Sequence, residues 1–197
     1  MSQEPAPEDP IEVRAEWDRD GLLRDLDRVD CEESLLGFVR TFWHVLEPGR
    51  TFVEGWAIGA ICEHLEAVSR GQIRRLLINV PPGFCKSLVS SVFFPAWEWG
   101  PRRLPSMRYL CASYSEDLTI RDNMKCRRLV TSPLYTQIWG EHVQLAADSN
   151  ARVKFENSWS GFKLATSVGG VGTGERADRV IVDDPHHVKE TESEPKR

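Results

Sequence analysis

Arg75-Leu76-Leu77-Ile78-Asn79-Val80-Pro81-Pro82-Gly83-Phe84-Cys85-Lys86-Ser87-Leu88 reads as a buried strand, a tight loop and a helix opening on Lys-Ser. Backbone N–H groups at such a loop and helix start can cradle phosphate oxygens. A lysine neutralises those oxygens and a hydroxyl can hold Mg²⁺. Much later in the chain, Arg179-Val180-Ile181-Val182-Asp183-Asp184-Pro185 forms a second apolar strand that ends in two carboxylates. One carboxylate for a metal ion and one for an attacking water would complete the minimal set for phosphoryl transfer to water. The signal lies in the ordered pair of motifs, since each has a plainer reading alone.

The loop departs from the common G-x-x-x-x-G-K-[ST] pattern. Val80 stands at its first glycine and Cys85 at its second, which leaves Gly83 inside the loop. If the position before the lysine needs positive φ, Cys85 bears about 1–2 kcal/mol of backbone strain there. The plainer reading is a strand-to-helix turn built by Pro81, Pro82 and Gly83, with Lys86 solvated. For Asp183-Asp184 it is an Asp-Pro turn that ends a strand.

A chain of 197 residues suits one sizeable domain, or one domain with an arm. Its 41% hydrophobic and 28% charged content fits a globular protein. No stretch approaches the roughly 18 apolar residues of a membrane span, and the acidic, proline-rich start is unlike a signal peptide. A cytoplasmic location without membrane association is therefore expected. Cysteines 31, 62, 85, 111 and 126 show no C-x-x-C spacing, so reduced thiols rather than zinc ligands are expected. The net charge of −5 is uneven: the acidity belongs to residues 1–30, and the remainder is close to neutral. It neither favours nor disfavours a nucleic-acid partner. His186-His187 reads as solvated surface.

Three segments organise the chain: an acidic, partly disordered arm over 1–30, a helical lead-in over 31–74, and a core over 75–197. Residues 1–10 are expected to be disordered. Helical periodicity covers 11–29, 31–46 and about 55–69, with stops at Pro48-Gly49 and Gly71. Lys86 to Trp97 reads as a helix broken by Pro95, 108–113 as a strand, and 115–130 as a helix begun by Ser115 and two acids. Residues 152–156 and 162–167 read as a hairpin around 157–161. Strands alternating with helices imply an α/β fold with a mostly parallel sheet. In such sheets ligands sit beyond the carboxyl ends of the strands, where both motifs fall.

These residues resemble the large terminase subunits of tailed bacteriophages, ATPase motors that package DNA into procapsids. The likeness spans roughly residues 35–195. It rests on Gly71 to Ser87, on Ala112-Ser113-Tyr114-Ser115 with Arg121 following, and on Ser132-Pro133-Leu134-Tyr135 with Trp139-Gly140. The stretch Gly170-Val171-Gly172-Thr173-Gly174-Glu175-Arg176-Ala177-Asp178 leading into the Asp pair completes it. The resemblance implies an ASCE-type P-loop NTPase fold, a three-layer sandwich preceded by N-terminal helices, with ATP hydrolysis coupled to movement of double-stranded DNA. It implies ATP and Mg²⁺ as cofactors. The implied partners are a terminase small subunit, the portal protein of the procapsid and further copies in a homo-oligomeric ring.

Carried over by position, Pro82, Gly83, Phe84, Cys85, Lys86, Ser87 and Leu88 surround the nucleotide phosphates. Lys86 contacts the β- and γ-phosphates, Ser87 and Asp183 hold Mg²⁺, and Asp184 is the catalytic carboxylate, often Glu in relatives. Arg176 is a candidate finger toward the γ-phosphate of a neighbouring subunit. The plainer reading pairs it with Glu175 or Asp178. Arg121, Lys125 and Arg128 form a basic stripe that either tracks DNA phosphates or is a solvated face with local acidic pairs.

The resemblance also implies a sheet lacking its far strands, an exposed strand edge and no nuclease domain, as in a fragment, a disrupted prophage gene or a piece of a split gene. Weak or no ATPase activity is expected from this chain alone. Two alternatives stay open: a helicase-type P-loop translocase, and a non-catalytic remnant.

Overall fold

The computed structural model describes residues 19–146, 152–170 and 174–186. The expectations for residues 1–18, for Val171–Thr173 and for His187 onward lie outside the described residues. Three helices come first: α1 (Arg19–Glu33), α2 (Leu35–Leu46) and α3 (Trp56–Ser69). The sequence periodicity placed the second helix from residue 31. Ser34 instead divides the run, its side chain accepting a hydrogen bond from the Gly37 N–H at 2.9 Å as an N-cap. Glu66 on α3 accepts from the Leu35 N–H at 2.8 Å, satisfying another donor at the start of α2. Gly37 lets α1 and α2 approach, since a Cβ there would meet the Asp30 carbonyl oxygen at 2.3 Å.

From Lys86 the chain runs helically to Trp99 as α4 (Lys86–Leu88), a π-helical turn (Val89–Phe93) and α5 (Phe94–Trp99). Pro95 was expected to break this helix. The run continues through it, with a wider turn immediately before it. A proline ring clashes with the carbonyl of residue i−4 in a regular α-helix, and i→i+5 pairing relieves that crowding. The run is buried from Val89 to Trp99, where Phe93, Phe94, Trp97 and Trp99 enter the core.

Four strands form one sheet in the order β2-β3-β1-β4, from β1 (Tyr109–Ser113), β2 (Lys154–Glu156), β3 (Phe162–Ser167) and β4 (Arg179–Asp183). Strands β3, β1 and β4 are mutually parallel and β2 pairs antiparallel with β3, so the expected hairpin and the mostly parallel mixed α/β sheet are both present. Helix α6 (Glu116–Val130) crosses from β1 toward β3, and α7 (Pro133–Trp139) follows it. Tyr135 and Trp139 of α7 pack on Phe38 and Phe42 of α2, with ring centroids 5.8–6.3 Å apart.

In register, Tyr109, Cys111 and Ser113 of β1 stand beside Arg179, Ile181 and Asp183 of β4, and neighbouring residues in register share a face. That face meets the 86–99 run and α6. On the opposite face Val180 and Val182 are 63% and 53% exposed. Among the described residues the arrangement is thus a sheet with helices on one side, two of the three layers expected.

Residues 75–80 correct the sequence reading. The segment joins no ladder of the sheet, and Leu77 is 91% exposed. Its apolar run suited a buried strand, but among the described residues β4, the strand it faces, pairs only with β1. A cleft of about 620 Å³ separates the two, with Leu76 and Ile78 on one wall and Val180 and Val182 on the other. Among the described residues nothing pairs with the outer edge of β4.

Candidate functional site

Two remote parts of the chain meet at the carboxyl end of β4. Lys86 Nζ lies 2.6 Å from Asp184 Oδ1 and 3.2 Å from Asp183 Oδ1. The parallel pairing of β1 with β4 and the packing of the π turn over β4 bring this about, because α4 leads straight into that turn. The Tyr114 N–H donates to the Asp184 carbonyl oxygen at 3.1 Å and ties the strand end to β1. Burial draws the Lys86 ammonium pKa down. The Asp184 hydrogen bond and the Asp183 charge outweigh that pull and leave it raised.

The backbone around the lysine is strained. Gly83 has φ 93°, and Cys85, directly before Lys86, has φ 56° and ψ 19°. A Cβ at Gly83 would meet nothing within 4 Å, so its glycine serves the backbone angle rather than space. The positive φ at Cys85 is the one the sequence pattern required, at about 1–2 kcal/mol for a residue with a Cβ. Asp184 is a third such position, at φ 43°. Strained residues gather where the surrounding structure enforces a functional geometry.

Around this centre Pro82 and Phe84 are exposed and Cys85, Ser87 and Leu88 half-buried. The N–H groups of Lys86, Ser87 and Leu88 begin the helical run, where no carbonyl of an earlier turn is available to them. The Ser87 hydroxyl makes no hydrogen bond to a described residue. No group of three or more His, Cys, Asp or Glu side chains in metal-binding proximity occurs among the described residues. A loop site holding Mg²⁺ through one hydroxyl, one carboxylate and substrate phosphates needs no such group.

Arg176 is exposed. Its two suggested partners are engaged elsewhere: Lys154 pairs with Glu175 at 2.8 Å, and Arg108 grips Asp178 through two nitrogens at 2.9 and 3.0 Å. No hydrogen bond or ion pair joins Arg176 to Lys86, Asp183 or Asp184 among the described residues. The basic stripe on α6 is mostly consumed inside the molecule. Arg121 pairs with Asp122 at 2.9 Å, Lys125 with Glu47 at 2.9 Å, and Arg128 donates to the Leu46 carbonyl at 2.7 Å. The latter two dock α6 on the end of α2.

Sequence reasoning missed the opposite end of β4. Glu98, fully buried on α5, accepts from Arg179 at 2.9 and 3.2 Å and from the Tyr109 hydroxyl. Burial first, then the Glu98 charge and hydrogen bond, drive the Tyr109 pKa well above its ordinary value. The signal was a lone carboxylate in Phe93-Phe94-Pro95-Ala96-Trp97-Glu98-Trp99, where a charge among aromatic residues must find a partner. Lys163 was also missed; it is fully buried on β3 and donates to Asn123 Oδ1 at 2.5 Å.

No protein-family model, no curated protein and no solved structure matches the chain.

Proposed function

We propose that the chain is an ATP-binding module of the P-loop NTPase class, the motor part of a DNA-packaging ATPase of the terminase large-subunit kind. The observation carrying the nucleotide reading is the convergence of Lys86 with Asp183 and Asp184 beside a strained loop. Two sequence motifs far apart in the chain, each ambiguous alone, share one location. The packaging assignment rests on the sequence resemblance. So do the small subunit, the portal protein, the ring of copies and the double-stranded DNA.

The residues fit a Mg²⁺-nucleotide. Ser87 and Asp183 are hard oxygen donors of the kind Mg²⁺ takes, and a buried hydroxyl without a partner, Ser113 Oγ, stands on the strand beside Asp183. When bound, the ion neutralises phosphate charge during transfer to water. Lys86 exchanges its carboxylate partners for the β- and γ-phosphate oxygens. The N–H groups of the loop and helix start orient the same oxygens. Asp184, held at the strand end through its carbonyl, accepts a proton from the water. The water oxygen bonds to the γ-phosphorus as the bond to the β–γ bridging oxygen breaks.

Equilibrium dialysis of ATP against the chain, with and without Mg²⁺, tests the reading. Binding that needs Lys86 supports it, and equal ATP retention by the chain and its Lys86→Ala variant would refute it.

A further inference from the structure

We infer that Ser113 is a positioning residue for Asp183 in the nucleotide-loaded state, an inference that rests on the proposed function. Ser113 closes β1 at the level of Asp183 in the parallel register, on the same face of the sheet. It is 2% exposed and its Oγ has no hydrogen-bond partner among the described residues. A buried hydroxyl without a partner is destabilising, and alanine at that position would remove the penalty. The empty state thus gains nothing from the oxygen.

Ligand binding changes that balance. In the present arrangement Lys86 supplies the positive partner of Asp183. Once Lys86 turns to phosphate, Asp183 would lose its lysine donor and, as a holder of Mg²⁺, would keep an oxygen free to accept a hydrogen bond. Adjacent strands lie about 4.8 Å apart, so a χ1 rotation brings the Ser113 hydroxyl within reach of the free carboxylate oxygen. A hydroxyl donates one hydrogen and an ionised carboxylate only accepts, so the pair is complementary. The neighbouring candidates are committed: the single Thr119 hydroxyl hydrogen is shared by the Glu116 and Thr166 carbonyls, and Ser90 donates to the Lys86 carbonyl. Ser113 fixes the direction of Asp183 and touches neither nucleotide nor metal.

The test uses the full chain and a fluorescent N-methylanthraniloyl ADP, titrated with excess Mg²⁺ and with EDTA, alongside thermal unfolding without ligand. Ser113→Ala is expected to weaken Mg²⁺-dependent binding about tenfold, the value of one hydrogen bond to a charged group. Binding in EDTA should be unchanged, and Tm should equal or exceed that of the parent chain. Ser113→Thr, which keeps the hydroxyl, should restore the Mg²⁺ dependence. An unaltered Mg²⁺ dependence in Ser113→Ala overturns the inference alone. So does a fall in Tm with equal loss of binding in Mg²⁺ and EDTA, which marks a structural role. Failure of the parent chain to bind in either condition removes the proposed function, and this inference with it.

Discussion

The two ends of β4 carry ion networks on the same face of one strand, and they are built in opposite ways. At the amino end Glu98 and Tyr109 are fully buried, and both carboxylate oxygens are engaged by Tyr109 and the part-buried Arg179. At the carboxyl end one lysine serves two carboxylates, one of them 62% exposed, beside three residues at positive φ. A saturated network locks a strand against the helices. An over-acidic, strained and accessible one has capacity left for a cation and for phosphates. The first suits a role in folding, and the second is where the proposed function puts binding.

Mutations at the two ends should separate in the same way. Removing Glu98 leaves the fully buried Tyr109 hydroxyl and the part-buried Arg179 guanidinium without their carboxylate. Glu98→Ala should therefore lower unfolding free energy by about 3–5 kcal/mol in denaturant titration. A loss below about 1 kcal/mol would mean the amino end is no lock. Lys86→Ala should change stability by less than about 1 kcal/mol, because its partners are partly solvated, yet abolish Mg²⁺-ATP binding. A large stability loss would make the carboxyl end structural too.

Cys85→Gly sharpens the contrast at the loop. Relief of about 1–2 kcal/mol of left-handed strain is set against about 0.4–1 kcal/mol of added unfolded-state freedom. The net should lie between no change and a stabilisation of about 1.6 kcal/mol, measured by the same titration, with nucleotide binding retained. The smallest effect lies at Asp178. Its hydrogen bonds to Arg108 outweigh burial and hold its carboxyl below the ordinary value of 3.8. A carboxylate whose folded pKa is depressed contributes stability above the unfolded value and loses it as pH falls through the folded value. Asp178→Asn should remove a small contribution to stability at neutral pH and flatten the acid limb, so that the variant and parent curves converge as pH falls below about 4.

The four strands of the sheet, the edge strand β4 included, were legible in the sequence, because apolar runs and the turn residues that bound them act locally. Residues 75–80 were not: apolar content marks a segment suited to a strand, but a ladder needs a neighbour, and β4 stands across a cleft from it. The division of the first helices at Ser34 was readable as capping chemistry. The wider apolar periodicity masked it. At the site, Lys86, Asp183 and Asp184 followed from motif spacing, and the positive φ of Cys85 from the pattern it replaces. Ser113 and Glu98 depend on which residue lies across the sheet or above it, which no local window reports. The α6 stripe shows the same limit, since Lys125 and Arg128 find their partners on α2, far away in sequence.

Amide hydrogen exchange, followed on the whole chain as Mg²⁺-ADP is added, examines the shared site most directly. Slower exchange should arise together in the Gly83–Leu88 turn and at Asp183–Asp184, and Lys86→Ala should lose it in both places. Protection confined to only one of those segments, or arising elsewhere, would contradict a common phosphate-and-metal centre.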